Sequence, residues 1–115
     1  MARVLLVDDD ADALEIRKLI FESRGHQVEV ASSAELARQQ FLANDPECVV
    51  LDLRIPEVED GLALIREFRA ASPSVQMIAV LGWPGDLEGR EERGMVDVVL
   101  SKPVRSEVLL RAVGS

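Results

Sequence analysis

The residues best suited to chemistry are acidic, and they gather at the ends of apolar runs. Asp8, Asp9 and Asp10 follow the run Arg3–Val7, and Asp52 follows the run Cys48–Leu51. Carboxylates placed this way can ligate a hard divalent cation or attack a phosphoryl group. Lys102, one of two lysines among the 115 residues, closes another apolar run in Ser101-Lys102-Pro103. Its ammonium is a compact point charge, suited to phosphate oxygens. If these run ends lie side by side, three or more carboxylates share a small volume. They cannot all stay ionised unpaired, and a divalent cation with a nearby ammonium is the simplest remedy.

The elements that must position these groups alternate along the chain. Arg3–Val7 reads as a first strand and Ala11–Arg24 as a helix, with Ala13, Ile16, Leu19 and Ile20 on one face and Gly25 as its stop. Gln27–Ala31 is a second strand. Ser32 and Glu35 have capping-box spacing for a second helix, reaching Asn44 with Ala34, Ala37 and Phe41 inward. Cys48–Leu51 is the third strand. Asp60 reads as the N-cap of a third helix with the stripe Leu64, Ile65 and Phe68. Val75–Leu81 is the fourth strand, and Leu87–Arg93 a weak, Gly-interrupted fourth helix. Val96–Leu100 is the fifth strand and Ser106–Val113 the last helix. This alternation predicts one α/β domain over 1–115, a doubly wound five-stranded parallel sheet with helices on both faces. The strands are continuously apolar because both faces are covered. Ligands of such sheets bind beyond the carboxyl ends of the strands, where the acidic residues fall.

The formal net charge is −8 and the pI about 4.6. Nucleic acid and anionic membranes attract basic surfaces, so neither is expected as a direct partner. The single cysteine, Cys48, lies in an apolar run and reads as small core filler. No signal peptide precedes the first apolar run and no run is long enough to span a bilayer, so a cytoplasmic protein is expected.

VLLVDDD, VVLDLRIP with a following DG, and SKP, in this order, resemble the response-regulator receiver domain over essentially the whole chain. The resemblance implies a flavodoxin-like fold with strand order 2-1-3-4-5. It makes Asp52 the phosphoacceptor, and Asp8, Asp9, Asp52 and the Arg54 carbonyl the ligands of Mg²⁺ or Mn²⁺. Lys102 and Gly82 would contact the phosphoryl group. Trp83 and the Arg54 side chain would line the rim. The phosphoryl donor would be a sensor histidine kinase or a phosphotransfer protein, and the signal would pass to an output domain or a downstream protein. The chain would assist its own phosphorylation without being a turnover enzyme.

Two positions depart from the family pattern. Leu81 stands where a Thr or Ser hydroxyl is usual, and Val99 where an aromatic is usual. Both side chains of the ordinary two-state switch are absent. The segment from Pro56 to Asp60-Gly61 is one residue longer than usual, and the stretch from Asp86 to Lys102 is shorter. The alternative is a degenerate receiver, acting as an interaction module independent of phosphate. A calcium loop at Asp8, Asp10 and Asp12 fails at Ala13 and Leu19, where Gly and Glu are needed. An aspartyl-phosphate phosphatase using Asp8 lacks a cap domain, and no Gly-rich phosphate loop is present. His26 reads as a turn residue and not as a relay histidine. The resemblance also suggests a cis bond before Pro103.

Overall fold

The computed structural model describes residues 2–114. Five parallel strands form one sheet in the order β2-β1-β3-β4-β5. They are β1 (Arg3–Val7), β2 (Gln27–Ala31), β3 (Cys48–Asp52), β4 (Gln76–Leu81) and β5 (Val98–Ser101). Four α-helices connect and flank them: α1 (Ala11–Ser23), α2 (Ala34–Asn44), α3 (Val58–Ala71) and α4 (Ser106–Val113). The fold class and strand order are those expected, and the second connection, which passes over β1, places β3 beside β1 as the middle strand.

Side-chain alternation along the strands sorts the core into two layers. Leu5, Val7, Val49, Leu51, Met77 and Ala79 pack with α2 and α3. Val4, Leu6, Cys48, Val50, Ile78 and Val80 pack with α1 and α4. On the first face Phe41 of α2 stacks on Phe68 of α3, with centroids 4.1 Å apart. Ala37, Phe41, Leu64, Ile65 and Phe68 are buried as the periodicity requires.

Four local expectations need correction. The predicted helix over Leu87–Arg93 does not form; two short 3₁₀ turns at Pro84–Asp86 and Glu91–Met95 replace it, so the α-helices number four instead of five among the described residues. Gly89 sits between them at φ +74°, a left-handed conformation that interrupts a helix. In α1 the buried residues are Leu14 and Phe21, while Ile16 and Leu19 are 60% and 64% exposed. The helix carries two apolar stripes, and the one ending in Phe21 packs in the core with Val4, Leu6 and Val28. The cap of α2 is Ser33, whose hydroxyl accepts the Leu36 N–H at 3.1 Å, not Ser32. The cap of α3 is Glu57; Asp60 lies inside the first turn and its carboxylate accepts the Glu57 N–H at 3.2 Å.

Smaller points follow the sequence more closely. Gly25, at φ +88°, terminates α1. Both Ile55–Pro56 and Lys102–Pro103 are cis. His26 is buried, and its Nδ1 accepts the Ala2 N–H at 3.0 Å. Cys48 is buried at the start of β3, the middle strand of the sheet.

Gly61 sets how closely α3 approaches the end of β3. A Cβ there would overlap the carbonyl oxygen and Cα of Leu53, one residue past Asp52. Gly61→Ala is therefore expected to destabilise the chain by about 1–3 kcal/mol through overpacking. Gly94→Ala, with open space around its Cβ, should change stability far less. Urea unfolding midpoints of the two variants at equal m-value check this. Burial pushes the Cys48 thiol up to about 12, with the Asp97 charge adding to the effect. The thiolate is the reactive form, so at pH 8 Cys48 should react with a thiol reagent only at the rate of global unfolding. Ellman's reagent in native buffer and in urea separates the two states.

Candidate functional site

The parallel register brings the acidic residues together. Val7 of β1 pairs with Leu51 of β3, so the next residues, Asp8 and Asp52, leave adjacent strands at the same level. Asp8 continues the ladder on its other side, its N–H donating to Ala31 at 3.2 Å. Asp8 and Asp52 are only 4% and 6% exposed. Carboxylate oxygens of Asp8, Asp9 and Asp52 all lie within 4.8 Å of one another. Asp10 is the N-cap of α1, its carboxylate accepting the Ala13 N–H at 3.1 Å, so it belongs to the helix and not to the cluster.

Lys102 reaches this cluster from the end of β5. Its backbone N–H donates to the Leu81 carbonyl at 2.8 Å, which extends the β4–β5 pairing one residue beyond Leu81–Ser101. Its ammonium then donates to Asp52 Oδ2 at 2.8 Å. Asp52 Oδ1 accepts the Arg54 N–H at 3.3 Å. Burial pushes the Asp52 carboxyl above the usual carboxylate range; Lys102 opposes that push and the Asp8 charge adds to it. At Lys102 burial pulls the ammonium down, but the bond to Asp52 and the charges of Asp52 and Asp8 outweigh it, so its pKa is raised. The two partners move the same way for different reasons. Pairing with Asp52 keeps Lys102 charged, yet Lys102 and Arg17 do not fully compensate the three carboxylates of Asp8, Asp9 and Asp52. Added positive charge is therefore favourable here.

The other expected residues divide into those near the cluster and those that serve the core. Leu81 is buried and joins the layer under α2 and α3, with Val99 packed against it. Neither carries a hydroxyl or a ring. Gly82 follows Leu81 directly, with no atom within 4 Å of where a Cβ would be. Trp83 is 65% exposed. The Arg54 side chain turns away to form a two-pronged pair with Asp86, Nε–Oδ2 2.7 Å and Nη2–Oδ1 3.0 Å. That pair ties the loop after β3 to the loop after β4. Asp86 was not visible as a partner in the sequence, because the two residues are far apart along the chain. Arg17 was also missed: from α1 it contacts Asp8 Oδ2 at 3.4 Å. Its signal was the phase of α1, since Arg17 lies between the buried Leu14 and Phe21.

The donor set suits a hard cation. Three carboxylates within mutual reach, two of them buried, match the oxygen ligands that Mg²⁺ and Mn²⁺ prefer. A family model for the response regulator receiver domain matches residues 4–114. The chain belongs to that family.

Relatives and solved structures agree with the receiver assignment. The virulence transcriptional regulatory protein PhoP of Salmonella typhimurium strain LT2 is 34% identical over 91 residues, covering 76% of this chain and 40% of PhoP. A protein-glutamate methylesterase/protein-glutamine glutaminase of Cereibacter sphaeroides is 38% identical over 107 residues, 88% of this chain and 28% of that protein. The receiver thus spans well under half the length of these relatives. A CheY-like receiver domain structure from Methylobacillus flagellatus is 29% identical, with a TM-score of 0.84, covering 98% of this chain and 96% of that one. The response regulator TrrA of Thermotoga maritima, solved with Mg²⁺ and BeF, shares the fold at a TM-score of 0.85 and 23% identity, covering 98% and 96%. Among the described residues no helix is long and apolar enough to cross a membrane.

The Arg54 guanidinium holds the Asp86 carboxyl below the usual carboxylate range. A depressed folded-state pKa contributes stability that is complete above the ordinary aspartate value of about 3.9 and is lost as pH falls through the lower folded value. The loop 83–90 should therefore keep its amide protection down to about pH 4 and lose it at lower pH. In Asp86→Asn the protection should be lower and flat with pH. Hydrogen exchange of these amides, read by NMR as a function of pH, checks both.

Proposed function

We propose that Asp52 is the phosphoacceptor of a two-component signalling system and that the reaction depends on Mg²⁺ or Mn²⁺. The observation that carries this reading is the convergence of Lys102 Nζ on Asp52, at 2.8 Å, inside the Asp8–Asp9–Asp52 cluster. The donor is a phosphorylated histidine of a sensor kinase or phosphotransfer protein. An Asp52 oxygen attacks the phosphorus in line as the bond to the donor nitrogen breaks, and the product is an acyl phosphate. Lys102 neutralises a phosphoryl oxygen once Asp52 has become the acyl phosphate. The backbone N–H of Gly82, free of any side chain, offers a further donor. Asp8, Asp9, Asp52 and the Arg54 carbonyl would hold the cation, which supplies positive charge to the phosphoryl oxygens. Positioning and charge are the whole of the chain's contribution.

Leu81 and Val99 serve as apolar filling in this reading, so phosphorylation is coupled to the partner surface by other contacts. The reading places the chain in the cytoplasm, where its phosphodonors are. PhoP is a transcriptional regulator and the Cereibacter relative a methylesterase, and an output domain or a downstream protein takes the signal here too. In this reading Trp83, exposed next to Gly82, lies at the rim and limits access of water to the acyl phosphate, while the Arg54 guanidinium is engaged by Asp86.

Incubation with Mg²⁺ and acetyl phosphate, followed by intact mass, tests the reading. One phosphoryl group should be gained, and none in Asp52→Asn or in EDTA. Lys102→Met should slow the gain by about 10²-fold, the usual effect of removing one charge-stabilising group. A gain undiminished in Asp52→Asn would assign the acceptor elsewhere.

A further inference from the structure

The two buried carboxylates of the site are held in the same manner. Asp52 Oδ1 accepts the N–H of the second residue on, Arg54, at 3.3 Å, and Oδ2 accepts Lys102 at 2.8 Å. Asp8 Oδ1 accepts the N–H of the second residue on, Asp10, at 3.0 Å, and Oδ2 faces Arg17 at 3.4 Å. The receiver reading accounts for Lys102 but not for Arg17. The Arg17 side chain is 18% exposed, far less than a solvated arginine. It opens on the same shallow recess as Asp9 and Lys102. It comes from the second turn of α1, whose buried Leu14 and Phe21 fix the helix phase that aims it at Asp8.

We infer that Arg17 is a resident counterion of Asp8 that weakens metal binding to the resting protein and makes the metal and the phosphoryl group bind cooperatively. The inference rests on the reading of Asp8, Asp9 and Asp52 as metal ligands. Three carboxylates opposed by Lys102 and Arg17 leave the cluster one surplus negative charge. A divalent cation turns that into one surplus positive charge. A phosphoryl group on Asp52 adds about one negative charge relative to the carboxylate and returns the sum close to zero. Without Arg17 the resting cluster has two surplus negative charges, and the cation alone cancels them. Arg17 thus shifts the best-balanced state from metal alone to metal plus phosphoryl group. The contact is also single-pronged and long, so Arg17 can yield Asp8 Oδ2 without breaking a bidentate pair. The coupling is reciprocal: whatever factor the phosphoryl group adds to metal affinity, the metal adds to phosphoryl affinity.

Calorimetric titration of the whole chain with Mg²⁺, with and without beryllium fluoride as phosphoryl mimic, tests this in wild type, Arg17→Met and Arg17→Lys. Arg17→Met keeps the apolar stem, and far-UV circular dichroism verifies its fold; Arg17→Gln repeats the charge removal if Met disturbs packing. Without fluoride, Arg17→Met should bind Mg²⁺ on the order of tenfold more tightly, as expected for loss of one charge beside a dication in a largely buried site open on one side. The enhancement of Mg²⁺ affinity by beryllium fluoride should shrink by a similar factor. Arg17→Lys should stay near wild type. Equal or weaker Mg²⁺ binding by the Met and Gln variants, with the enhancement unchanged, overturns the counterion role while leaving the metal site intact. Absence of Mg²⁺ binding in wild type and variants alike overturns the metal site itself, and the inference falls with it.

Discussion

Two carboxylates buried on neighbouring strands impose the condition that the rest of the site must meet. Asp8 and Asp52 are brought level by the β1–β3 register, and both are almost out of reach of water. Isolated charges in such a place are costly, and two of like sign are more so. The chain answers with two cations from distant segments, Lys102 on Asp52 and Arg17 on Asp8, and with one backbone N–H to each carboxylate. Each answer depends on larger structure. Lys102 is aimed by the bond from its own N–H to Leu81, hence by the β4–β5 pairing. Arg17 is aimed by the packing of α1 through Leu14 and Phe21. The N–H of Arg54 is aimed by the loop that Gly61 allows to lie against α3. Fold and site are therefore one electrostatic problem.

The strands were legible because each is a short apolar run closed by a polar residue, and the doubly wound sheet follows from their alternation with helices. The acidic cluster was legible for the same reason, since strand ends of a parallel sheet lie on one edge. What escaped was decided by competition between near-equal local choices. Ile16 and Leu19 form as regular a stripe as Leu14 and Phe21, and packing against the sheet, which spacing alone does not reveal, buries the second pair. Ser32 and Ser33 are equally able to cap, and the end of β2 at Ala31 selects the second. Leu87–Arg93 is rich in Glu and Arg, good helix formers, but Gly89 at positive φ ends any helix there. The missed partners Arg17 and Asp86 follow from these errors. A wrong phase for α1 points Arg17 to solvent, and a helix drawn through the 87–93 segment hides the turn that presents Asp86.

Leu81 and Val99, the positions expected to depart from the family pattern, fit this frame. Both sit in the apolar layer shared with α2 and α3, where a hydroxyl or a ring would need a partner or more room. Their backbone still works for the site, since the Leu81 carbonyl holds Lys102. The contacts that run outward from Asp52 instead pass through Arg54. Its N–H is on Asp52 and its guanidinium is on Asp86, while Arg90 Nε donates to the Asp86 carbonyl at 2.9 Å. Asp52 is thus linked by three hydrogen-bonded steps to the loop that stands where a fourth helix was expected.

That linkage bears on how a charge at Asp52 reaches the surface. A signal needs an element with two arrangements that the phosphoryl group favours unequally. A helix with a buried apolar face resists such a change, because shifting it disturbs many contacts at once. The 3₁₀ turns from Pro84 to Met95 contribute Leu87 and Met95 to the core and otherwise rest on polar bonds to Arg54, Arg66 and Arg90. Polar bonds of this kind can be exchanged for others of similar strength, at little net cost, when new negative charge appears nearby. On the proposed reading, the absence of a helix over Leu87–Arg93 and the apolar side chains of Leu81 and Val99 are then consistent with one another. The loop is held by charge, and charge is what the proposed phosphorylation of Asp52 would change.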